Sequence, residues 1–163
     1  MHQPALKINQ IERIADQMER AFKGEAWHGP ALLHILKDVN ASVATAKPVR
    51  SVHSIWEIVN HIAAWDGAVR RRIGGEAVEL EGDLDWPPAK NPSDSAWEEA
   101  VENLKRVHAD LIWAVLSMPE YRLLEPVPGR EHYDYYHMLH GVIQHELYHA
   151  GQIALLKKMG TGS

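Results

Sequence analysis

The sequence predicts an all-α protein, a four-helix bundle with an additional N-terminal helical segment. Three observations carry that class. Apolar residues recur at spacings of three and four over long stretches, the period of a helix with one buried face. Alternating strand-like runs are missing. Breaks rich in Gly and Pro separate the periodic stretches. At 163 residues, the chain reads as one domain, 1–163, long enough to bury a substantial core.

A first helix is expected over 5–23, ending at the Lys23-Gly24 stop. After the break Gly24-Glu25-Ala26-Trp27-His28-Gly29, Pro30 suits the first turn of a segment running to about Ala46. A long helix follows from about Ser54 to Ile73 and stops at Gly74-Gly75. Residues 74–94 form a loop rich in Gly, Pro and Asp, and a loop of that length signals function or mobility. Ser95 with Glu98 reads as a capping box opening a helix to about Ser117. A second loop, Pro119 to Glu131, carries three prolines and Gly129. The last helix is expected from Tyr133 to Lys158, with Lys157 and Lys158 placed against the C-terminal dipole.

Composition narrows the function classes. A net charge of −5 argues against a nucleic-acid binder, which would show a basic face. No apolar run approaches the roughly 20 residues of a membrane span. The first ten residues lack a signal peptide's apolar core, so the expected location is the cytoplasm. The absence of cysteine excludes disulfides, thiolate ligands and a cysteine nucleophile. Eleven histidines are many for this length, and they lead to the chemistry.

His145 and His149 lie four apart in the last helix. On a wheel of about 100° per residue with Met138 at zero, they fall near −20° and 20°, in the middle of the apolar stripe. Burying an imidazole without a partner costs about 1–3 kcal/mol, and a metal ion removes that cost because neutral imidazole is a common ligand for zinc, nickel or iron. A third ligand must come from another helix. His61 lies at the margin of the buried stripe of the Ser54–Ile73 helix, whereas His53, His137 and His140 point away from the core faces. His61, His145 and His149 are therefore the candidate metal ligands. No nearby residue offers a strong fourth, which would leave a coordination position open. The string His145-Glu146-x-x-His149 also matches the H-E-x-x-H zinc-protease motif. Its context argues against a protease, because none of the fourteen residues after His149 is His, Asp or Glu.

Three strings resemble the DinB/YfiT-like family of small metal-binding helical bundles. They are Ala26-Trp27-His28-Gly29-Pro30, the run Ile55-Trp56-Glu57-Ile58-Val59-Asn60-His61-Ile62-Ala63-Ala64-Trp65, and the run from His140 to Ile153. The resemblance implies a bundle, commonly dimeric, whose three histidines hold a divalent metal on one side. Carried over by position, those are again His61, His145 and His149. It also implies, for some members, transfer of low-molecular-weight thiols such as bacillithiol or mycothiol, isomerisation dependent on such a thiol, or hydrolysis. A chain without cysteine is compatible with thiol transfer, since the thiol would come from a cosubstrate.

Other residues carry weaker expectations. Gly151 would permit close helix packing. Gln152 faces the ligand side and would bond a ligand or water, or pack as an interior amide. Glu146, at the stripe's edge, suits a supporting or surface role better than catalysis. Trp56, Trp65 and Trp97 read as core anchors. Tyr133, Tyr135, Tyr136 and His137 would line the mouth of a site or a dimer contact, or simply face solvent. Arg70-Arg71-Arg72 reads as a solvated helix end, with binding of an anionic cosubstrate as the alternative. The expected function is a metal-dependent enzyme, zinc or nickel being the expected ion, that activates a small thiol or water toward an electrophilic substrate. It is expected as a homodimer, without nucleic-acid or membrane partners. The alternative is a non-catalytic metal-binding or stress-associated dimeric bundle. No catalytic residue is assigned.

Overall fold

The computed structural model describes residues 9–160. The start of the first expected helix, 5–8, lies outside them. Among the described residues the chain forms α1 (Gln10–Phe22), α2 (Leu32–Leu36), α3 (Ala41–Thr45), α4 (Ile55–Ile73), α5 (Asp94–Ser117), the hairpin strands β1 (Pro126–Val127) and β2 (Arg130–Asp134), and α6 (Tyr135–Gly160). The architecture is the all-α bundle that the periodicity predicts. Helix α4 packs against α5 and α6, and α1 lies against α5 and α6. The additional helical material, α2 and α3, touches α4, α5 and α6 near one end of the bundle.

Capping sets the boundaries. Asn9 accepts from the Ile11 amide at the start of α1. Ser54 and Glu57 form a reciprocal capping box that starts α4. The cap of α5 is Ser93, which accepts from the Ala96 amide, rather than the expected Ser95. Starting two residues earlier places Asp94 in the first turn, where its carboxylate accepts from the Ala41 amide and ties α5 to α3. The expected continuous segment from Pro30 to Ala46 is two short helices. Asp38 takes a positive φ of 64° between them, which no helix interior accommodates.

The second loop also differs from expectation. It holds a 3₁₀ turn, Glu120–Leu124, and the small antiparallel hairpin. Pro128 and Gly129 occupy its turn, and Gly129 takes a φ of 72°, as the third position of a Pro-Gly type II turn requires. Tyr133 and Asp134 therefore belong to β2, and α6 starts at Tyr135.

Two apolar clusters fill the interior. One gathers Phe22, Leu32, Trp56, Val59, Ile62, Trp97, Leu104 and Ile153. The other gathers Ile11, Ile14, Met18, Val69, Leu111, Val115, Tyr135, Leu139 and Val142. Each large side chain buried in this way contributes roughly 1.5–3 kcal/mol. Three polar side chains lie between the clusters along their own helices. They are Asp66 on α4, His108 on α5 and Glu146 on α6, and all three are buried.

Candidate metal centre

Helices α4 and α6 bring the three predicted histidines together. The Nε2 atoms of His61 and His145 are 2.9 Å apart, and those of His145 and His149 are 3.1 Å apart. His61 and His149 are each 5% exposed, and His145 is half-buried. The Nδ1 atom of His61 donates to the main-chain oxygen of Asp85 at 2.7 Å, with an Asp85 carboxylate oxygen at 3.1 Å. A carbonyl oxygen can only accept, so the proton sits on Nδ1 and the Nε2 lone pair faces the other rings. Likewise, Nδ1 of His149 donates to the Gln152 amide oxygen at 2.7 Å. Gln152 thus supports the ring of a candidate ligand, one of the two roles expected for it.

With these tautomers, two inward lone pairs meet at His145, whose Nε2 can carry at most one proton. A cation between the rings removes that repulsion. Two nitrogens each about 2.1 Å from one ion, at right-angled to tetrahedral spacing, stand roughly 3.0–3.4 Å apart. The separations of 2.9 and 3.1 Å fall just below and within that range, and one nitrogen from each ring lies within 4.8 Å of the others, so small ring adjustments let the donor set hold a metal ion. Burial, with the neighbouring His149 and His61 rings, pushes the pKa of His145 down to about 3. Burial also lowers those of His61 and His149. All three rings are therefore held in the neutral form that coordinates. Among the described residues, this triad is the group that could hold a metal, with no fourth side-chain ligand beside it.

The loop after α4 supplies what the helices cannot. Trp86 stacks on His61 with ring centres 3.7 Å apart, and His53 stacks on Trp86 at 3.6 Å. Asp85 also accepts from Nε1 of Trp65 at 2.8 Å. Neither Asp85 nor Trp86 was predicted, and a loop offers no periodicity from which to find them. The triad opens on a cavity of about 540 Å³, within the usual range for small-molecule sites. Trp65, Tyr133, His137, Met138 and Arg72 are among its lining residues. Trp65 is thus a wall of the cavity rather than the core anchor expected of it, whereas Trp56 and Trp97 are buried in the core. Tyr133 and His137 line the cavity, Tyr135 is buried, and Tyr136 is exposed.

Glu146 departs from its expected place at the edge. It is 2% exposed, and Oε2 lies 4.0 Å from Nδ1 of His108, which is itself 3.1 Å from Asp66 Oδ2. Burial and the nearby Asp66 push the Glu146 pKa well above the ordinary carboxylate range. Burial raises that of Asp66 too, against the opposing pull of His108. Glu146 does not line the cavity, so it is not placed as the general base of an H-E-x-x-H protease. His108 was findable, since it falls on the apolar stripe between Leu104 and Leu111.

A family model described as the DinB superfamily matches residues 26–153. The chain belongs to that superfamily. The match takes in His61, His145 and His149 and leaves α1 outside it. No curated protein and no solved structure gives a significant match. Among the described residues of this DinB-superfamily chain, no helix is long and apolar enough to cross a membrane.

Proposed function

We propose that this DinB-superfamily protein is a metal-dependent enzyme in which His61, His145 and His149 ligate one divalent ion, zinc or nickel, and that it transfers a low-molecular-weight thiol or hydrolyses its substrate. The observation that supports this most is the convergence of three Nε2 atoms at a cavity, with no fourth side-chain ligand among the described residues. An ion bound there would supply Lewis acidity, lowering the pKa of a thiol or water at its open position.

The chain's own groups prepare that position. Asp85 and Gln152 orient His61 and His149 through their Nδ1 hydrogens, which also raises the basicity of the opposite nitrogens. Trp86 covers one face of His61 and keeps water from it. The aromatic and apolar walls offer room for an electrophilic substrate beside the ligands. With no cysteine in the chain, the sulfur nucleophile has to be a cosubstrate. A reducing cytoplasm, where small thiols persist, suits this chemistry. We extend the reading to a homodimer, for which the exposed Trp113 and Leu116 on α5 offer an apolar contact.

The test has two steps. Elemental analysis of the purified protein should find about one divalent ion per chain. The zinc-loaded protein should then accelerate conjugation of a small thiol with 1-chloro-2,4-dinitrobenzene, or hydrolysis of an activated ester, and removing the metal should abolish the rate. Metal without turnover would leave a binding protein, and no metal would overturn the reading.

A further inference from the structure

Arg72 closes the run of three arginines at the end of α4. Arg70 and Arg71 are exposed, but Arg72 is 2% exposed. Its Nε and Nη2 both donate to the main-chain oxygen of Val78, at 3.2 and 2.7 Å. Its guanidinium carbon lies 5.4 Å from the centre of the Trp65 ring. The backbone beneath it is pinned as well. The Tyr135 hydroxyl donates to the Arg72 main-chain oxygen at 2.8 Å, and Arg122 donates to that hydroxyl and to the Ile73 main-chain oxygen.

Arg71 pairs with Glu76 and Arg122 with Glu125, but among the described residues no carboxylate lies within ion-pairing distance of Arg72. A buried charge without a partner is costly, and proteins normally pair it or expel it. This one lines the same cavity as the three histidines. Val78 occupies the side edge of the guanidinium. The terminal edge, Nη1 with the second hydrogen of Nη2, enters no described hydrogen bond, and it has the forked geometry that matches a carboxylate.

We propose that Arg72 is the anion-binding end of this cavity, and that its ligand is a small monocarboxylate with an apolar body. The carboxylate sits on the terminal edge of the guanidinium, and the body lies against Trp65, Tyr133 and Met138. The far end reaches the histidines. Trp65 sets the span, because its ring is 5.4 Å from the guanidinium carbon and 5.7 Å from the His145 ring. A monoanion fits better than a phosphate dianion, since the one other charged side chain lining the cavity is Asp85, which is acidic. The orientation of the reactive end rests on the metal reading above, whereas the anion site does not.

The test compares 3-phenylpropanoate with its neutral analogue 3-phenylpropanamide on chelator-treated protein at about pH 8, where free imidazole is neutral. Working without metal separates the Arg72 contact from direct ligation of the carboxylate. Calorimetry should show the carboxylate binding about tenfold or more tightly than the amide. The preference should weaken as sodium chloride is raised. Arg72→Gln should abolish it while leaving amide binding in place, and if that variant does not fold, the wild-type comparison and its salt dependence decide. Equal affinities, no carboxylate binding at millimolar concentration, or a preference that survives Arg72→Gln would overturn the proposal. None of these results touches metal content or thiol transfer, so the two readings fail separately.

Discussion

The main-chain oxygen of Asp85 and Nδ1 of His61 are 2.7 Å apart, and this contact fixes which nitrogen of His61 faces His145 and His149. Gln152 does the same for His149, but through a side chain. The difference separates the effects of two substitutions. Asp85→Ala keeps the main-chain acceptor and should weaken metal binding only slightly. Gln152→Leu removes the acceptor altogether and should cost about 10–100-fold in metal affinity. Competition with a chelator of known affinity measures both, and the reverse order would contradict the tautomer assignment.

On the proposed ligation, His149→Ala should lower metal affinity by orders of magnitude while far-UV circular dichroism stays helical, because the two apolar clusters do not depend on the ion. His137→Ala should leave metal content unchanged, since His137 is exposed and lies outside the triad. Equal loss of metal from both variants would show that the ligands had been misassigned.

The lowered histidine pKa values give the metal-free protein an acid limb. The unfolded chain takes up protons on these rings near pH 6.5, whereas the folded chain does so only at lower pH, at about 3 for His145. Between those values the unfolded state binds more protons, so stability rises with pH across the window and is complete above its upper end. In a Glu146→Gln background, which removes a titration of opposite sign, the Tm of the metal-free protein should be level from pH 7 to 8 and decline below about 6.5. His145→Asn should make the decline shallower. Metal content titrated in parallel should fall on the acid side, and full retention down to about pH 4 would rule out histidine ligation.

Glu146 carries the opposite sign. Its pKa is raised in the folded state, so from the unfolded value of 4.5 upward the unfolded chain gives up a proton that the folded chain keeps. Stability is therefore lost as pH rises through that window. Among the described residues, Oε1 has no hydrogen-bond partner. Glu146→Gln removes the titration at nearly constant shape. It should raise Tm at neutral pH by about 2–4 °C for each kcal/mol relieved, and the gain should shrink toward pH 4.5. A Tm below wild type at pH 8 would sink this account.

Gly151 was expected to allow close packing, but it is exposed, and an added Cβ meets nothing within 4 Å. In the middle of α6 it costs helix stability without a packing return. Gly151→Ala should stabilise the fold by about 1 kcal/mol, with metal content unchanged. Thermal and denaturant unfolding would measure it.

What the sequence made legible follows from periodicity. The long helices and the histidine triad all lie on repeating apolar faces, where spacing alone fixes which side chains meet. The parts it hid depend on chain returns without a period. Arg72 looks like its two exposed neighbours until Val78 folds back over it. Asp85 and Trp86 become partners of His61 only through the path of a loop. The cap of α5 was ambiguous because Ser93, Asp94 and Ser95 are all good caps, and the choice fell to Asp94's bond with Ala41. A two-residue strand such as Pro126–Val127 is too short to show alternation.

One histidine of the triad therefore leans on a segment outside the helices, since both the acceptor and the stacked ring at His61 come from the loop at Asp85 and Trp86. By thermodynamic reciprocity, whatever fills the histidine centre must stabilise the ordered form of that loop, and whatever unfastens the loop must loosen the centre by the same free energy. The stretch from Gly82 to Pro88 is thus a built-in reporter. Its amide exchange and its susceptibility to protease should register occupancy of a site to which it contributes no ligand of its own.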